Sequence, residues 1–325
     1  MKAVVYYKYG SPDVLQVTEI AKPHPKDSEI LVKVHAAEVT KADCEMRSFK
    51  FPVKWFWLPL RLVFGVTKPR RPVLGGYFAG EVAAIGKDVT KYKVGDRIFG
   101  TTGFRFGGHG EFVNLPEDQT MALIPDTVSY EQAAATPLGG LNAIHFMRLA
   151  NIKAGEKVLI NGAGGSIGAF ALQIARDMGA EVSVVDSGIK EEMLRGQGAV
   201  EFTDYTKANF ADQGKTYDVV FDMVAGSDFS GCLKVLNPDG RLLLGNPNIA
   251  KMLRCVWTTR FSGKTAKFAF AKETAAELLD LATMLEEGRI TAVVDKVLPM
   301  ESAAEAHSLV ETEQRIGAIV LAISP

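Results

Sequence analysis

The residues best suited to chemistry stand in one short stretch, GEKVLINGAGGSIG, at positions 155 to 168. An apolar run, Val158 to Ile160, leads into a turn of small residues, and a helical pattern begins at Ala169. Glycines let a backbone turn sharply and approach a diphosphate, and a helix N-terminus aims N–H groups at it. The stretch therefore predicts a dinucleotide site, with Ala163 in place of the first glycine of G-x-G-x-x-G. The predicted binding residues are Gly162, Ala163, Gly164, Gly165, Ser166, Ile167 and Gly168.

An ordinary glycine-rich turn would contain similar residues, so the surrounding sequence must distinguish it from a dinucleotide site. A helix is predicted from Phe170 to Met178, closed by Gly179, and a strand from Glu181 to Val185 follows. That strand ends at Asp186, which stands 186 − 168 = 18 residues after the last glycine of the motif. The spacing is close to the ~20 residues expected for the carboxylate that holds an adenosine ribose. The context therefore favours the dinucleotide site.

The chain before and after this stretch predicts two kinds of domain. From Met1 to about Pro125, short β-runs are cut by glycines and prolines, which predicts a mostly antiparallel β-domain. Helices are predicted at 130–135 and 141–149, on either side of Pro137 and two glycines. From Gly155 to about Pro247 strands alternate with helices, which predicts a parallel, doubly wound sheet. The carboxyl ends of two of its strands, expected to border the ligand crevice, carry Val224, Ala225, Gly245 and Asn246.

Three further elements complete the predicted order. They are a helix from Lys272 to Glu287, a helix around Ser302 to Val310, and two strands at VVDKVLP and Ala318 to Ile323. The two strands lie beyond the αβ section, so they are candidates to rejoin the β-domain.

Composition sets limits on function. With 325 residues, 47% of them apolar, and a net charge of −1, the chain fits a two-domain globular protein and lacks the basic surplus of a nucleic-acid binder. Its three cysteines, Cys44, Cys232 and Cys255, stand far apart, which predicts no disulfide framework. This cysteine usage favours a reducing, cytoplasmic compartment, and the N-terminus, which lacks the apolar core of a signal peptide, argues against export. The aromatic segment Phe51 to Val66 is too short and too charged to span a membrane, and favours a lid or partner contact over contact with a membrane surface.

These motifs, together with LGGYFAGEVAAIGKDVTKYKVGDRIFG (74–100), YDVVFDMVAG, LNPDGRLLLGNP and a final AEAH…RIGAIVL strand, resemble the medium-chain dehydrogenase/reductase superfamily. The likeness is to its zinc-independent quinone-oxidoreductase-like and NAD(P)-dependent alcohol-dehydrogenase-like members and covers essentially the whole chain. It implies an α/β fold with a GroES-like catalytic domain (1–124 and 290–325) and a Rossmann domain (125–289), with the active site between them. It also implies a homodimer.

The resemblance predicts an enzyme without zinc. Zinc-dependent relatives place a cysteine early, a histidine in a G-H-E motif and a block of four cysteines. Here the early segment reads TKADC, Tyr77 stands where the histidine would be, and residues 100–112 contain no cysteine. Zinc needs three or four converging ligands. Cys44 and Asp43 are stray candidates, Asp43 is expected to order a loop, and His109 is expected to be a cleft or surface histidine.

Hydride transfer without a metal needs hydrogen-bond donors or water to meet the charge that develops on the acceptor oxygen. The resemblance places Tyr77 and Thr40 on the cleft side of the β-domain as candidate catalytic donors, with Lys41 less favoured, and a packing or backbone role is equally open for each. Asn142 stands where relatives often have a threonine near the nicotinamide ribose. Tyr205 would lie near the adenine or pack at the strand end.

The residues give conflicting predictions of whether the cofactor is NAD(H) or NADP(H). Asp186 suits the ribose 2′-OH of NAD(H), whereas Ser187 and Lys190 suit the 2′-phosphate that most zinc-independent relatives bind, so NADP(H) is placed slightly ahead of NAD(H). The predicted function is an NAD(P)H-dependent reductase of quinones, enones or related carbonyls, because conjugated acceptors spread negative charge themselves. An alcohol or aldehyde dehydrogenase, with or without zinc, and a non-catalytic NADPH-binding partner protein are the alternatives.

Overall fold

A computed structural model describes residues 1–51, 57–313 and 315–324. The chain divides into two compact units. The antiparallel unit comprises Met1–Pro137, Thr274–Glu286 and Ala292–Pro325, and the parallel unit comprises Leu138–Glu273 and Glu287–Thr291. The domain boundaries at 124/125 and 289/290 stay a prediction.

The antiparallel unit is organised around one long strand with apolar residues at alternate positions. The described strands of this unit are β1 (Lys2–Val5), β2 (Gln16–Glu19), β3 (Glu29–Val39), β4 (Tyr77–Ile85), β5 (Arg97–Thr101), β6 (Phe112–Pro116), β7 (Met121–Leu123), β14 (Val294–Pro299) and β15 (Ala318–Ala322). In the main sheet they run β14-β15-β3-β4-β5-β7, and β6 also pairs with β3. Ile30, Val32 and Val34 of β3 are fully buried in its core.

The last two strands belong to this sheet. β15 pairs antiparallel with β3, from Ile319 opposite Val39 to Ala322 opposite Ala36, and β14 pairs parallel with β15. The prediction that the terminal strands rejoin the β-domain is therefore confirmed.

Two helices of the antiparallel unit, at 41–48 and 57–64, occur where only β-runs were predicted, and the other three lie where helices were predicted. The described helices of this unit are α1 (Lys41–Ser48), α2 (Trp57–Phe64), α3 (Tyr130–Ala134), α9 (Ala275–Glu286) and α10 (Ala303–Glu311). α1 begins because Thr40 and Asp43 cap it reciprocally, the hydroxyl accepting from the Asp43 N–H and the carboxylate accepting from the Thr40 N–H. α2 falls in the aromatic segment, of which residues 52–56 lie outside the described residues, so its role as a lid or contact stays a prediction.

The parallel unit contains the predicted doubly wound sheet. Its strands are β8 (Lys157–Asn161), β9 (Glu181–Asp186), β10 (Glu201–Asp204), β11 (Tyr217–Asp222), β12 (Leu236–Leu244) and β13 (Thr265–Phe268). They are parallel and lie in the order β10-β9-β8-β11-β12-β13. This is the Rossmann order, whose direction of winding reverses between β8 and β11. The sixth strand, β13, was not predicted.

The helices of this unit differ from the prediction at their ends. They are α4 (Thr136–Ala150), α5 (Ser166–Asp177), α6 (Glu191–Gly196), α7 (Phe229–Lys234) and α8 (Ile249–Phe261). α5 begins three residues before the predicted Ala169, since Gly165 is its N-cap. α4 runs through Pro137, because proline is tolerated in a first turn. Within the described residues no helix is long and apolar enough to cross a bilayer.

A buried polar cluster lies under the antiparallel sheet. Cys44 Sγ of α1 is 3.3 Å from Nδ1 of His307 on α10, and the ring of His109 lies edge-on to that of His307. All three side chains are essentially inaccessible to solvent, so the expectation that His109 lies in a cleft or on the surface is wrong. Burial lowers the pKa of His307 well below its usual 6.5, and the same cause raises the pKa of Cys44 to about 12. The pair is therefore neutral at physiological pH.

Acid should destabilise the wild-type protein through His307. Below pH ~6.5 the unfolded chain gains a proton on this residue that the folded chain does not bind, so unfolding becomes easier by up to about 1.4 kcal/mol per pH unit. We expect His307→Gln to flatten the fall in the free energy of unfolding between pH 7 and pH 5, measured by urea titration. His24→Gln, which removes an exposed imidazole of the same unit, should keep the wild-type slope; equal slopes in all three proteins would contradict the prediction.

Candidate dinucleotide site

The glycine turn after β8 brings the start of α5 against the end of the strand. Gly162 has φ +86°, a conformation that glycine adopts without steric cost. A Cβ on Gly168 would lie 2.4 Å from the carbonyl oxygen of Gly162, so any larger residue would push the helix off the turn. The backbone geometry of the turn therefore requires glycine at both positions.

Gly165 differs from its neighbours, because a Cβ there would meet no heavy atom of the described chain within 4 Å. It is the N-cap of α5, and no described side chain caps that helix end. The first N–H groups of α5, at Ser166, Ile167 and Gly168, are thus left for a ligand. Open space beside uncapped N–H groups fits an anionic group such as a diphosphate.

Asp186, the last residue of β9, contacts the glycine turn with its carboxylate. One carboxylate oxygen, Oδ2, accepts the Gly164 N–H at 2.7 Å, and Oδ1 accepts the Ser187 N–H at 2.8 Å. Lys190 Nζ lies 3.1 Å from Oδ1, and both side chains of this ion pair are about nine-tenths buried. A Cβ on Gly164 would clash with this pair, at 2.2 Å from Cδ of Lys190. The three predicted specificity residues are thus in mutual contact.

The remaining predicted residues follow neighbouring strands. Tyr205 follows β10 and is 62% exposed, so the interpretation that it packs at the strand end is wrong. Val224 and Ala225 follow β11, and Gly245 and Asn246 follow β12. Because all these strands are parallel, the residues that follow them lie along the carboxyl edge of one sheet.

Asn142 is placed differently. It lies in α4, where its side-chain Nδ2 donates to the carbonyl of Leu138 at 2.9 Å. The amide nitrogen is therefore engaged with its own helix, and the amide oxygen is the group that it can offer to a ribose hydroxyl.

A polar network at the switch point was missed by the sequence analysis. Asp222, the last residue of β11, accepts from Asn161 Nδ2 at 2.9 Å and from the hydroxyl of Ser227. Lys251 Nζ donates to Ser227 Oγ and to the Ala225 carbonyl, each at 3.0 Å. Desolvation raises the pKa of Asp222. The network holds the loop with Val224 and Ala225, and a charged residue ending an apolar strand was the available signal.

The candidate catalytic residues lie in the antiparallel unit. Thr40 is buried at the end of β3, and its Oγ1 donates to Asp43 Oδ2 at 2.6 Å. The other carboxylate oxygen, Asp43 Oδ1, accepts the Gly75 N–H at 3.0 Å, which orders the loop before β4 as expected. Tyr77 is the first residue of β4 and is partly exposed. Lys41 forms an ion pair with Glu313. Asp43 thus bonds both to Thr40 and to the backbone of Gly75, which stands two residues before Tyr77.

No metal-binding arrangement of side chains is present in the part of the chain that the structure describes. No group of three or more His, Cys, Asp or Glu residues there could hold a metal ion. Asp43 is engaged in the cap, and Cys44 contacts His307.

Comparisons with known proteins match both parts of the chain. Residues 26–126 match the family described as alcohol dehydrogenase GroES-like domain, and residues 197–321 match the family described as zinc-binding dehydrogenase. Quinone oxidoreductase of Sus scrofa is 31% identical over 99% of this chain and 97% of its own length. The NADPH-dependent alkenal/one oxidoreductase of Arabidopsis thaliana is 29% identical over 99% of this chain and 79% of its own. The structure of the quinone oxidoreductase from Coxiella burnetii superposes with a TM-score of 0.86 at 25% identity, covering 100% of this chain and 99% of that one.

A GroES-like antiparallel unit joined to a six-stranded parallel Rossmann-type sheet with this glycine turn defines an NAD(P)-dependent oxidoreductase. The chain belongs to the medium-chain dehydrogenase/reductase superfamily, in its quinone-oxidoreductase-like branch. The resemblance inferred from its motifs is confirmed.

Gly165→Asp should separate binding from folding. Aspartate is a favourable N-cap, so the free energy of unfolding should stay within a few tenths of a kcal/mol or rise. Its charge would fill the open space in front of α5 and repel a diphosphate, so the Kd for NADPH should rise by at least about tenfold, measured by calorimetry. Gly165→Ser, a similar cap without the charge, is the matched control and should bind more tightly than the aspartate variant. Unchanged NADPH affinity in Gly165→Asp would contradict this assignment of the site.

Proposed function

We propose that the protein is a zinc-independent NAD(P)H-dependent reductase of quinones, enones or related carbonyls. The observation that carries the proposal is the open cradle at Gly165 in front of the uncapped end of α5. Relatives that match 99% of this chain and are named quinone oxidoreductase and alkenal/one oxidoreductase support the acceptor class. The described residues contain no cluster of metal ligands, and we therefore look to side-chain donors or water for polarising the acceptor.

In this proposal the parallel unit binds and orients the cofactor. The N–H groups of Ser166, Ile167 and Gly168 would hold the diphosphate, and the Asp186 region would hold the adenosine ribose. Tyr205 would lie against the adenine, and the loops after β11 and β12 would border the nicotinamide half. A bound reduced nicotinamide supplies the hydride. The network around Asp222 keeps the Val224 loop in place while the cofactor exchanges.

For the acceptor oxygen we propose Tyr77 as the hydrogen-bond donor and Thr40 as its positioning partner. The Thr40 hydroxyl proton is directed at Asp43, which makes it a poor donor to substrate. Tyr77, at the start of β4, is partly exposed. Phenols stabilise developing negative charge on a neighbouring oxygen when they are held in place before the reaction. Quinones and enones need only this modest assistance, because conjugation spreads the charge.

We propose that both pyridine nucleotides bind, with a slight preference for NADP(H). Asp186 alone would repel a 2′-phosphate, but Lys190 offsets its charge at 3.1 Å. A 2′-phosphate could share Lys190, whereas the 2′-OH of NAD(H) could donate to the carboxylate. The balance of the Asp186–Lys190 pair would thus set the preference.

Asp186→Asn should move that preference further towards NADPH. The amide oxygen can still accept the Gly164 N–H, while the loss of the negative charge frees Lys190 for a phosphate. We expect the ratio of Kd for NADH to Kd for NADPH to rise on the order of tenfold, or about 1.4 kcal/mol. Asp218→Asn, near the amino-terminal edge of the same sheet, should leave the ratio unchanged. A ratio that falls in Asp186→Asn would refute the role given to the pair.

Turnover with a substrate panel tests the proposed function. Purified protein should oxidise NADPH in the presence of quinones or α,β-unsaturated ketones and should turn over saturated aldehydes and alcohols more slowly. Treatment with a strong zinc chelator should leave the rate unchanged, and elemental analysis should show less than stoichiometric zinc. Chelator-sensitive alcohol oxidation would instead identify a zinc-dependent alcohol dehydrogenase. Tight NADPH binding without turnover on any acceptor would favour a non-catalytic binding protein.

Tyr77→Phe tests the donor. We expect kcat with an enone to fall about tenfold or more, while the Kd for NADPH and the free energy of unfolding change little. Thr40→Ala should differ, because loss of the α1 cap costs about 1 kcal/mol of stability. Tyr7→Phe changes an exposed tyrosine of the same unit and is the matched control. A Tyr77→Phe enzyme with wild-type kcat would rule out the phenol as donor.

A further inference from the structure

Apolar side chains are exposed on helix α2 and on the turn that packs beside it. Leu62 and Val63 of α2 are 59% and 60% exposed, and Val66, just after the helix, is 58% exposed. Phe104, in the turn after β5, is 78% exposed, and its ring centroid lies 6.2 Å from that of Phe64 on α2. The four exposed residues therefore form one surface, here called the α2 patch; they are Leu62, Val63, Val66 and Phe104. An apolar surface of this kind indicates a binding partner.

The inner side of α2 is held by the rest of the antiparallel unit. Phe64 is buried in an aromatic cluster with Phe49. The guanidinium of Arg61 stacks over the ring of Tyr9 at 4.2 Å and over that of Phe49 at 3.9 Å. The Tyr9 hydroxyl also donates to the Gly65 carbonyl at 2.9 Å, just after the helix. These contacts fix which face of α2 is buried, so the opposite face stays in solvent.

Arginine side chains stand directly beside the patch. Arg61 Nη1 donates to the Val66 carbonyl at 2.8 Å. Arg70 Nη1 donates to the Val63 carbonyl at 3.2 Å. Arg71 donates in the same way to the carbonyl of the patch phenylalanine. A positive charge is therefore held beside three of the four apolar residues.

The charge of this part of the chain is one-sided. Residues 46–80, between Glu45 and Glu81, contain seven Lys and Arg and no Asp or Glu, so all other residues sum to −1 − 7 = −8. Two arginines near the patch are already paired with carboxylates; they are Arg47, with Glu311, and Arg105, with Glu29. Three cations are exposed and form no ion pair with another residue that the structure describes; they are Lys68, Arg70 and Arg71. The partner should therefore be anionic.

These properties separate the candidate partners. A two-fold contact through the patch would bring its cations against the same cations of a second copy, which costs energy. An anionic bilayer complements both properties, because exposed apolar side chains enter the boundary between headgroups and acyl chains while flanking cations meet lipid phosphates. The sequence of the segment 51–66 favoured a lid or partner contact, but it does not show that Phe104 joins the patch or that three arginines flank it. We propose that the α2 patch docks the protein on the surface of anionic membranes, without spanning them.

The patch is bonded to the loop before the candidate hydrogen-bond donor. Tyr77 of β4 stands opposite Thr101 of β5, which is three residues before Phe104. The N–H of Thr102 donates to the Gly76 carbonyl at 2.8 Å. A docked protein would hold this part of the unit near apolar acceptors dissolved in the bilayer, which suits the quinone class of the proposed function. Docking does not depend on that function, because the patch and its charges are properties of the surface alone.

Vesicle co-sedimentation with the full chain tests the proposal. Wild-type protein should bind vesicles of phosphatidylcholine mixed with phosphatidylglycerol, should bind pure phosphatidylcholine at least about tenfold more weakly, and should lose affinity as salt is added. Leu62→Ser with Phe104→Ser should reduce binding at least about tenfold, because it removes the apolar surface that enters the bilayer. Lys68→Ser with Arg71→Ser should reduce binding to the anionic vesicles on the order of thirtyfold, since each cation contributes about fivefold.

Two control variants make matched changes elsewhere on the surface. Val94→Ser with Leu279→Ser removes two exposed apolar side chains. Lys153→Ser with Lys207→Ser removes two positive charges from exposed positions. Both variants should bind the anionic vesicles as wild type does.

Three results would overturn the proposal. The first is wild-type protein that does not bind the anionic vesicles, and the second is binding that both patch variants retain. The third is a change of oligomeric state that Leu62→Ser with Phe104→Ser causes in sedimentation velocity without vesicles, which would assign the patch to a second copy. Circular dichroism and urea unfolding of each variant distinguish lost binding from lost folding, since all substituted side chains are exposed.

Discussion

The close approach of α5 to the end of β8 is the constraint on which the candidate dinucleotide site depends. A Cβ at Gly168 would lie 2.4 Å from the Gly162 carbonyl oxygen, so the helix can begin at Ser166 only because glycine stands there. Starting the helix at that point leaves Gly165 at its uncapped end, facing open space. The turn therefore combines tight internal packing on one side with an uncapped, positively polarised helix end on the other.

Asp186 contacts the glycine turn and is also the residue to which the proposed function assigns the cofactor preference. Its carboxylate accepts an N–H from Gly164 and pairs with Lys190, so it contributes to the shape of the turn as well as to its charge. A buried pair of this kind is sensitive to the loss of either partner, because the remaining charge would be left in a region of low dielectric. In the proposed function, one pair of side chains therefore affects both the shape of the turn and the cofactor preference, and an apolar substitution of either residue would change both.

The parallel unit contains a second buried polar network, at the carboxyl end of β11. Asp222, Asn161, Ser227 and Lys251 satisfy one another across β8, β11 and α8, and desolvation raises the pKa of the carboxylate. Through Lys251 the network also connects the loop after β11 to α8. One buried ammonium group thus connects a surface helix to the loop that the proposed function places beside the nicotinamide.

Local patterns in the sequence determined the class of fold, the glycine turn and the strand ends, because turn geometry and β-α alternation are encoded within a few adjacent residues. They also indicated that Asp186, Ser187 and Lys190 belong to one site, although not that these residues bond to one another. Tertiary structure alone decided that β13 completes the sheet, that His109 is buried beside His307, and that Asp222 joins Lys251. Each of these depends on contacts between residues distant in sequence. Which apolar side chains of α2 remain exposed was likewise invisible in the sequence, since an apolar residue at helical spacing has the same letter whether the fold buries it or leaves it in water.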